Sequence, residues 1–266
     1  MKRFPFRPSL IRTAGLLACA LLFELPAPAA RFELFALRYA RSRYREDWLH
    51  EGGDRSRWVD FAWMFYLARF ESKIILFDTG FDPAKQKRRI RDFHIEWIHP
   101  LRLLEKLSVA PETVTDVVVT HSHYDHVGNL RRFPNARIVI HEKALETLLE
   151  PGAHQLIARY LRNHPRIETF RTDFELYGKF HVRWIGGHTK GSSAVFFRHA
   201  GEAFVLTGDE VFFRENVAAS RLSGEIVDRR RNRSFLRELN RIPALRILTF
   251  HDPGIVPAEQ EWIRIT

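Results

Sequence analysis

Three imidazoles and a carboxylate fall within six residues in the stretch His121-Ser122-His123-Tyr124-Asp125-His126. An imidazole nitrogen is the commonest protein ligand for zinc, and a carboxylate supplies a harder oxygen ligand. These residue types at this spacing point to metal chemistry. His121 and His123 are two apart, so an extended backbone aims both the same way. Asp125 and His126 are adjacent, so they diverge. One pair is therefore expected to serve one metal and the other pair a second metal close by. The bland alternative is a surface loop with scattered histidines.

The motif must be delivered by something rigid. Residues 114–120 are rich in valine and threonine and read as a buried strand that ends at His121. Residues 31–39 read as a strand by alternation, and residues 61–70 and 73–77 as paired strands around Glu71-Ser72. Residues 41–60 are polar, contain Gly52-Gly53, and read as a loop, with Trp48 and Trp58 left without a role. Helical periodicity appears around residues 100–107, and a short helix is expected after Gly128-Asn129. Residues 136–140 read as a strand and 142–149 as a helix. Residues 152–177 read as helical, then irregular, with the look of a flap. There Leu156, Ile157, Tyr160 and Leu161 suit either ordinary packing or an apolar wall. Residues 180–185, 194–198, 203–206 and 245–250 read as further strands, and 234–239 as a helix. His94, His99 and His141 read as surface or packing residues. No tandem repeat is present at solenoid periods.

Composition narrows the chemistry. The chain has 266 residues, 45% of them apolar, which is enough for a sizeable core. Its single cysteine, Cys19, allows no internal disulfide and no thiolate metal site. Metal ligands must then be histidine and carboxylate. Residues 1–29 read as a secretory signal: a basic start, an apolar run from Ala14 to Phe23 too short to span a bilayer, and Ala27-Pro28-Ala29 as the cleavage site. Leu16-Leu17-Ala18-Cys19 is an alternative lipid-attachment box, and an uncleaved anchor is the third option. The expected location is periplasmic or secreted, with no stable membrane span after cleavage. Residues 30–266 are expected to form a single domain. Loss of the leader removes four cations and one anion, so the formal charge falls from +10 to +7. A basic surface suits anionic partners, but a solvated exterior is the simpler reading. An exported chain would rarely meet RNA, and no nucleic-acid partner is expected.

The His-x-His-x-Asp-His motif resembles the signature of the metallo-β-lactamase superfamily of hydrolases. Phe77-Asp78-Thr79-Gly80 lies upstream of it. Gly186-Gly187-His188-Thr189, Leu206-Thr207-Gly208-Asp209 and Phe250-His251-Asp252-Pro253 follow in the family's order. The resemblance implies a mixed α/β (α+β) fold, a four-layer αββα sandwich. It implies two Zn2+ ions: His121, His123 and His188 on one, Asp125, His126 and His251 on the other, and Asp209 bridging. Asp125 is also taken as the catalytic residue. Asp78 is implied to support the ligands without touching metal. By the same resemblance, metal-bound hydroxide attacks a small-molecule lactone or other ester carbonyl. Asp209 separates the chain from the true β-lactamases, which lack a bridging carboxylate there. His251-Asp252-Pro253 and residues 209–216 look like the quorum-quenching N-acyl-homoserine lactonases. Those lactonases carry a tyrosine three residues after the bridging aspartate, where this chain has Phe212. A glyoxalase II-like thioesterase is the alternative, and it needs a basic pocket. A non-catalytic zinc-binding protein on the same fold is a third reading.

Overall fold

The computed structural model describes residues 32–152 and 154–266. The leader expected over 1–29 lies outside the described residues. Among those described, no helix is long and apolar enough to cross a membrane.

β1 (Phe32–Arg45), β2 (Trp58–Phe70) and β3 (Lys73–Phe77) run antiparallel to one another in chain order. The two-residue β4 (Glu96–Trp97) adds to β1. β5 (Asp116–Val119), β6 (Arg137–His141) and β7 (Ile167–Phe170) continue the sheet from β3 in parallel. A second sheet holds β8 (Asp173–Leu176), β9 (Phe180–Trp184), β10 (Ser193–His199) and β11 (Glu202–Leu206), all antiparallel, and then β12 (Leu245–Leu248), parallel to β11. β13 (Trp262–Arg264) returns to the first sheet beside β1.

The helices flank this pair of sheets. α1 (Glu46–Leu49), α2 (Lys87–Asp92), α3 (Pro100–Lys106), α4 (Tyr124–Val127), α5 (Glu142–Leu149) and α6 (Gln155–Asn163) belong to connections of the first sheet. α7 (Arg214–Ala218) and α8 (Arg229–Leu239) serve the second.

Period-two alternation explains the layering. Phe35 and Leu37 of β1 pack outward with Leu103, Leu148 and Ile157 of the helices. Leu34 and Ala36, on the opposite face, pack with Val182, Val195 and Phe204 of the second sheet. Ala194 and Val205, on that sheet's far side, meet Phe235 and Leu236 of α8. Three apolar seams thus separate four layers, which is the expected αββα sandwich. Strands buried on both faces read as nearly continuous apolar runs, as Val117-Val118-Val119 does.

Three expectations fail. The loop expected over 41–60 is strand at both ends, because Ser42 and Tyr44 point inward while Arg41 and Arg43 point to solvent. Arginine on the open face made an alternating strand look merely polar. The irregular stretch within 152–177 contains β7 and β8. Both are four residues long, too short for a periodic signal, and pairing with β6 and β9 makes them strands. The short helix also arrives early: α4 precedes Gly128, and a 3-10 turn at Leu130–Arg132 follows Asn129.

Phe180 joins the two sheets, with ring centroids 5.2 Å from Phe77 and 5.5 Å from Phe197, and it is fully buried. Phe180→Ala should cost about 3–5 kcal/mol. Urea denaturation should show a lower midpoint at unchanged slope, and an unaltered midpoint would contradict this packing.

Candidate metal centre

All seven expected ligands lie just beyond strand ends. The segment from His121 to His126 follows β5, His188 follows β9, Asp209 follows β11 and His251 follows β12. The structure brings them into two groups, His121, His123, His188 and Asp209, and Asp125, His126, Asp209 and His251. Within each group one ligand atom per residue lies within 4.8 Å of the others. Asp209 belongs to both. His123 is half-buried and the other six are buried. Asp125 and His126 do not diverge as in an extended chain. They open the helical turn α4, and His126 Nε2 lies 3.1 Å from Asp125 Oδ2.

The imidazoles are oriented from outside. His126 Nδ1 lies 2.6 Å from Asp78 Oδ2, and His251 Nδ1 donates to the Ala62 carbonyl at 2.8 Å. His188 Nδ1 donates to the Glu225 carbonyl, and His121 Nδ1 lies 3.1 Å from Thr120 Oγ1. Such partners hold each Nδ1 and turn Nε2 toward the shared centre, as they do around metal-bound histidines. His121 Nε2, His126 Nε2 and Asp209 Oδ1 are buried there without a hydrogen-bond partner. His126 Nε2 and Asp209 Oδ1 are 3.2 Å apart, an ion-pair distance for a protonated imidazole. Orphaned buried donors and acceptors are rare in native structures, and an ion is a standard reason for them. The all-nitrogen-and-oxygen donor set fits divalent metals such as zinc.

The field in the site points the same way. Burial opposes charge on His126, but Asp209, Asp125 and Asp78 outweigh it and hold the imidazole well above its ordinary range. Burial also opposes charge on Asp209, where His126, His251 and His121 prevail and push it well below. His188 lacks enough compensation, and burial lowers it to about 4. Two carboxylates held low, Asp125 and Asp209, thus face His121 and His188, on which burial disfavours charge, and this favours a bound cation.

Two buried carboxylates support this arrangement. Asp78 has φ +65° and accepts from the Thr120 amide at 2.8 Å and the Thr120 hydroxyl at 2.6 Å. That ties the end of β3 to the end of β5. Glu210 was missed in the sequence. It is fully buried and accepts from the Gly187 amide at 2.8 Å, the His188 amide at 3.0 Å, Asn232 Nδ2 at 2.7 Å and the Ser192 hydroxyl. A Cβ on Gly187 would sit 2.3 Å from Glu210 Oε2, so glycine is needed for this close approach. An acidic residue directly after a buried ligand aspartate was the available signal.

A cavity of about 610 Å³ opens over the site, with His123, Asp125, Asp209 and His251 in its lining. A cavity of about 740 Å³ touches it only at Phe61 and Phe93 and contains no ligand residue. The chemistry therefore belongs to the smaller one. Trp48 lines it, and Trp58 lines the other. Phe212 stands edge-on to His188 and His251. Ile157 and Leu161 pack into the core and Tyr160 donates to the Phe133 carbonyl, so the packing reading holds for these three, while Leu156 is exposed. His99 and His141 cap α3 and α5. In the basic run 229–233, Arg229 and Arg233 pair with Glu51, and Arg231 with Asp228.

Because Glu210 holds the Gly187-His188 turn, Glu210→Ala should weaken metal binding about 10–100-fold. Chelator competition on the metal-loaded protein measures this, and wild-type affinity in the variant would contradict the assigned support.

The family model described as the metallo-beta-lactamase superfamily matches residues 60–256. A "probable metallo-hydrolase" of Mycobacterium tuberculosis is 26% identical over 231 residues, covering 71% of this chain and 74% of that one. An N-acyl homoserine lactonase of Bacillus thuringiensis is 22% identical over 163 residues, covering 57% and 64%. A crystal structure of a quorum-quenching N-acyl homoserine lactone lactonase superposes with a TM-score of 0.73 at 17% identity, covering 87% of this chain and 98% of that one. With a signature motif, a four-layer sandwich and converging ligands on one chain, the protein belongs to the metallo-beta-lactamase superfamily.

Proposed function

We propose that this chain is a two-zinc hydrolase that opens the ring of N-acyl-homoserine lactones, acting in the periplasm or outside the cell once the leader over 1–29 is removed. The observation that carries the reading is Asp209, shared between two histidine and carboxylate groups on the cavity floor. His121, His123 and His188 would hold one metal, and Asp125, His126 and His251 the other. When bound, two divalent ions lower the pKa of water toward neutrality and polarise a carbonyl oxygen.

The protein's own residues supply the rest. Asp78 and the Ala62 carbonyl fix the rings of His126 and His251. Tyr39 donates from the core to the Asp125 carbonyl at 3.1 Å and steadies the ligand turn. Phe61 stacks on His251 with centroids 4.2 Å apart and, with Phe212, keeps water from that side. The aromatic wall of Trp48, Phe61, Trp63 and Phe93 suits an acyl chain. Among the described residues, Arg89 is the only cationic side chain lining the cavity. That weighs against the glyoxalase II-like reading, whose glutathione thioester carries two carboxylates.

The test is proton release on adding short- and long-chain N-acyl-homoserine lactones to metal-loaded protein lacking residues 1–29. Turnover that disappears in Asp125→Ala is the expected result. Two bound metals with no lactone turnover would overturn the substrate and leave the family assignment intact. Phe212 offers no hydroxyl to a developing oxyanion, and one such donor is worth about 10²–10³ in kcat elsewhere. Phe212→Tyr should therefore raise kcat for the lactone, and a kcat no higher than wild type would show that the rate is not limited there.

A further inference from the structure

The cavity wall away from the ligands carries a second polar pair. Arg89 of α2 is half-buried, with its guanidinium carbon 4.6 Å from the Tyr124 ring centroid and 5.8 Å from that of Phe93. Its neighbours Arg88 and Arg91 both pair with Asp92. Arg89 makes no ion pair among the described residues. Tyr44, at the end of β1, lines the same cavity and is 7% exposed. Its hydroxyl is buried, and its hydrogen-bonding neighbour is the Arg89 guanidinium, which can only donate, so the hydroxyl's own proton has no acceptor. A buried hydroxyl proton without an acceptor is costly and uncommon, so this one asks for a ligand atom.

Both groups are donors. A guanidinium has five N–H groups and no acceptor. Burial pushes the Tyr44 hydroxyl up to about 12, against a hydrogen bond from Arg89 and the pull of that cation, so it keeps its proton across the physiological range. The Tyr44 ring stacks on Phe93 at 5.0 Å and stands edge-on to Phe61 at 5.1 Å. Phe61 in turn stacks on the ligand His251. The pair therefore sits about one aromatic layer from the ligand cluster. That is too remote for the oxyanion and suits a second group on the same small substrate. Asp125 and Glu225 also line the cavity. Asp125 is engaged with the ligand cluster, and Glu225 lies exposed at the rim.

We propose that Arg89 and Tyr44 form an acceptor-recognition subsite, which binds an oxygen of the substrate, an amide carbonyl or a carboxylate, and so orients the ester over the ligand cluster. This rests on the lactone reading and adds the feature by which the lactone is selected. A substrate with only an alkyl chain beside its ester leaves both donors unpaired, and a cationic group there meets the Arg89 charge.

The experiment compares three γ-lactones on metal-loaded wild type, Arg89→Met and Tyr44→Phe: an N-hexanoyl-homoserine lactone, a lactone with a carboxylate on its side chain, and a plain alkyl lactone. Each variant should lose about tenfold or more in kcat/KM on an acceptor-bearing lactone and less than about twofold on the alkyl lactone. A larger loss on the carboxylate or on the amide identifies the oxygen recognised. Equal losses on all three would assign the residues a structural role and overturn the subsite. Binding of N-hexanoyl cyclopentylamine, which keeps the amide and has no ester, is read separately by thermal shift. If no lactone turns over, the substrate reading fails. The subsite then stands only if this amide stabilises wild type and not the variants. No stabilisation of wild type overturns it too.

Discussion

Two carboxylates and five imidazoles share one buried volume at the end of a sandwich, and most of the surrounding structure answers the cost of that crowding. Removing ionisable groups from water is expensive unless they are paired or bind a metal. Here they cannot all pair with one another, because Asp209 and Asp125 repel while His121 and His188 are held neutral by burial. A cation at the centre resolves both problems. The protein's share of the work is to keep seven donor atoms pointing inward when thermal motion and local repulsion would spread them.

Rigid delivery is how this is done. Four strand ends supply the ligands, and neighbouring strands are tied at the same edge. Asp78 binds the ends of β3 and β5 together through Thr120. Thr79 donates to the His126 carbonyl at 3.0 Å, and Asn129 bonds back to the Phe81 carbonyl at 2.8 Å, so the turn after the motif is anchored on both sides. Glu210 does the same for the turn that presents His188. Asp78, Thr79 and Glu210 are themselves buried and satisfied. That makes the frame stiff but intolerant of a missing partner.

The cavity above is built differently. Its walls come from Tyr44 at the end of β1, from Phe61 and Trp63 of β2, and from connecting segments that include α1, α2, Phe93 and Phe212. The strand ends gather the site's polar groups, and the connecting segments, with these three strand residues, shape what can reach them. Among the described residues, the wall is largely aromatic with one arginine, Arg89. The absence of a hydroxyl at Phe212 shifts the burden of orientation toward other donors facing the cavity.

The residues that gather at the site were legible in the chain alone because metal chemistry needs particular atoms, and His121, His123, Asp125 and His126 crowd them into one segment. Strands buried on both faces also declare themselves, as Val117, Val118 and Val119 do, since nothing else accounts for so many β-branched residues in a row. Other features were not local. Ser42 and Tyr44 belong to a strand whose open face carries arginines, so composition alone called it a loop. β7 and β8 are too short to show a period and exist through their partners. Glu210, Arg89 and Tyr44 acquire meaning only when residues far apart in sequence become neighbours, such as Glu210 with His188 or Tyr44 with Phe93. A sequence reports which atoms are available and which faces are apolar. Burial, orientation and the loss of a hydrogen-bond partner depend on packing between distant segments, and only the folded chain decides them.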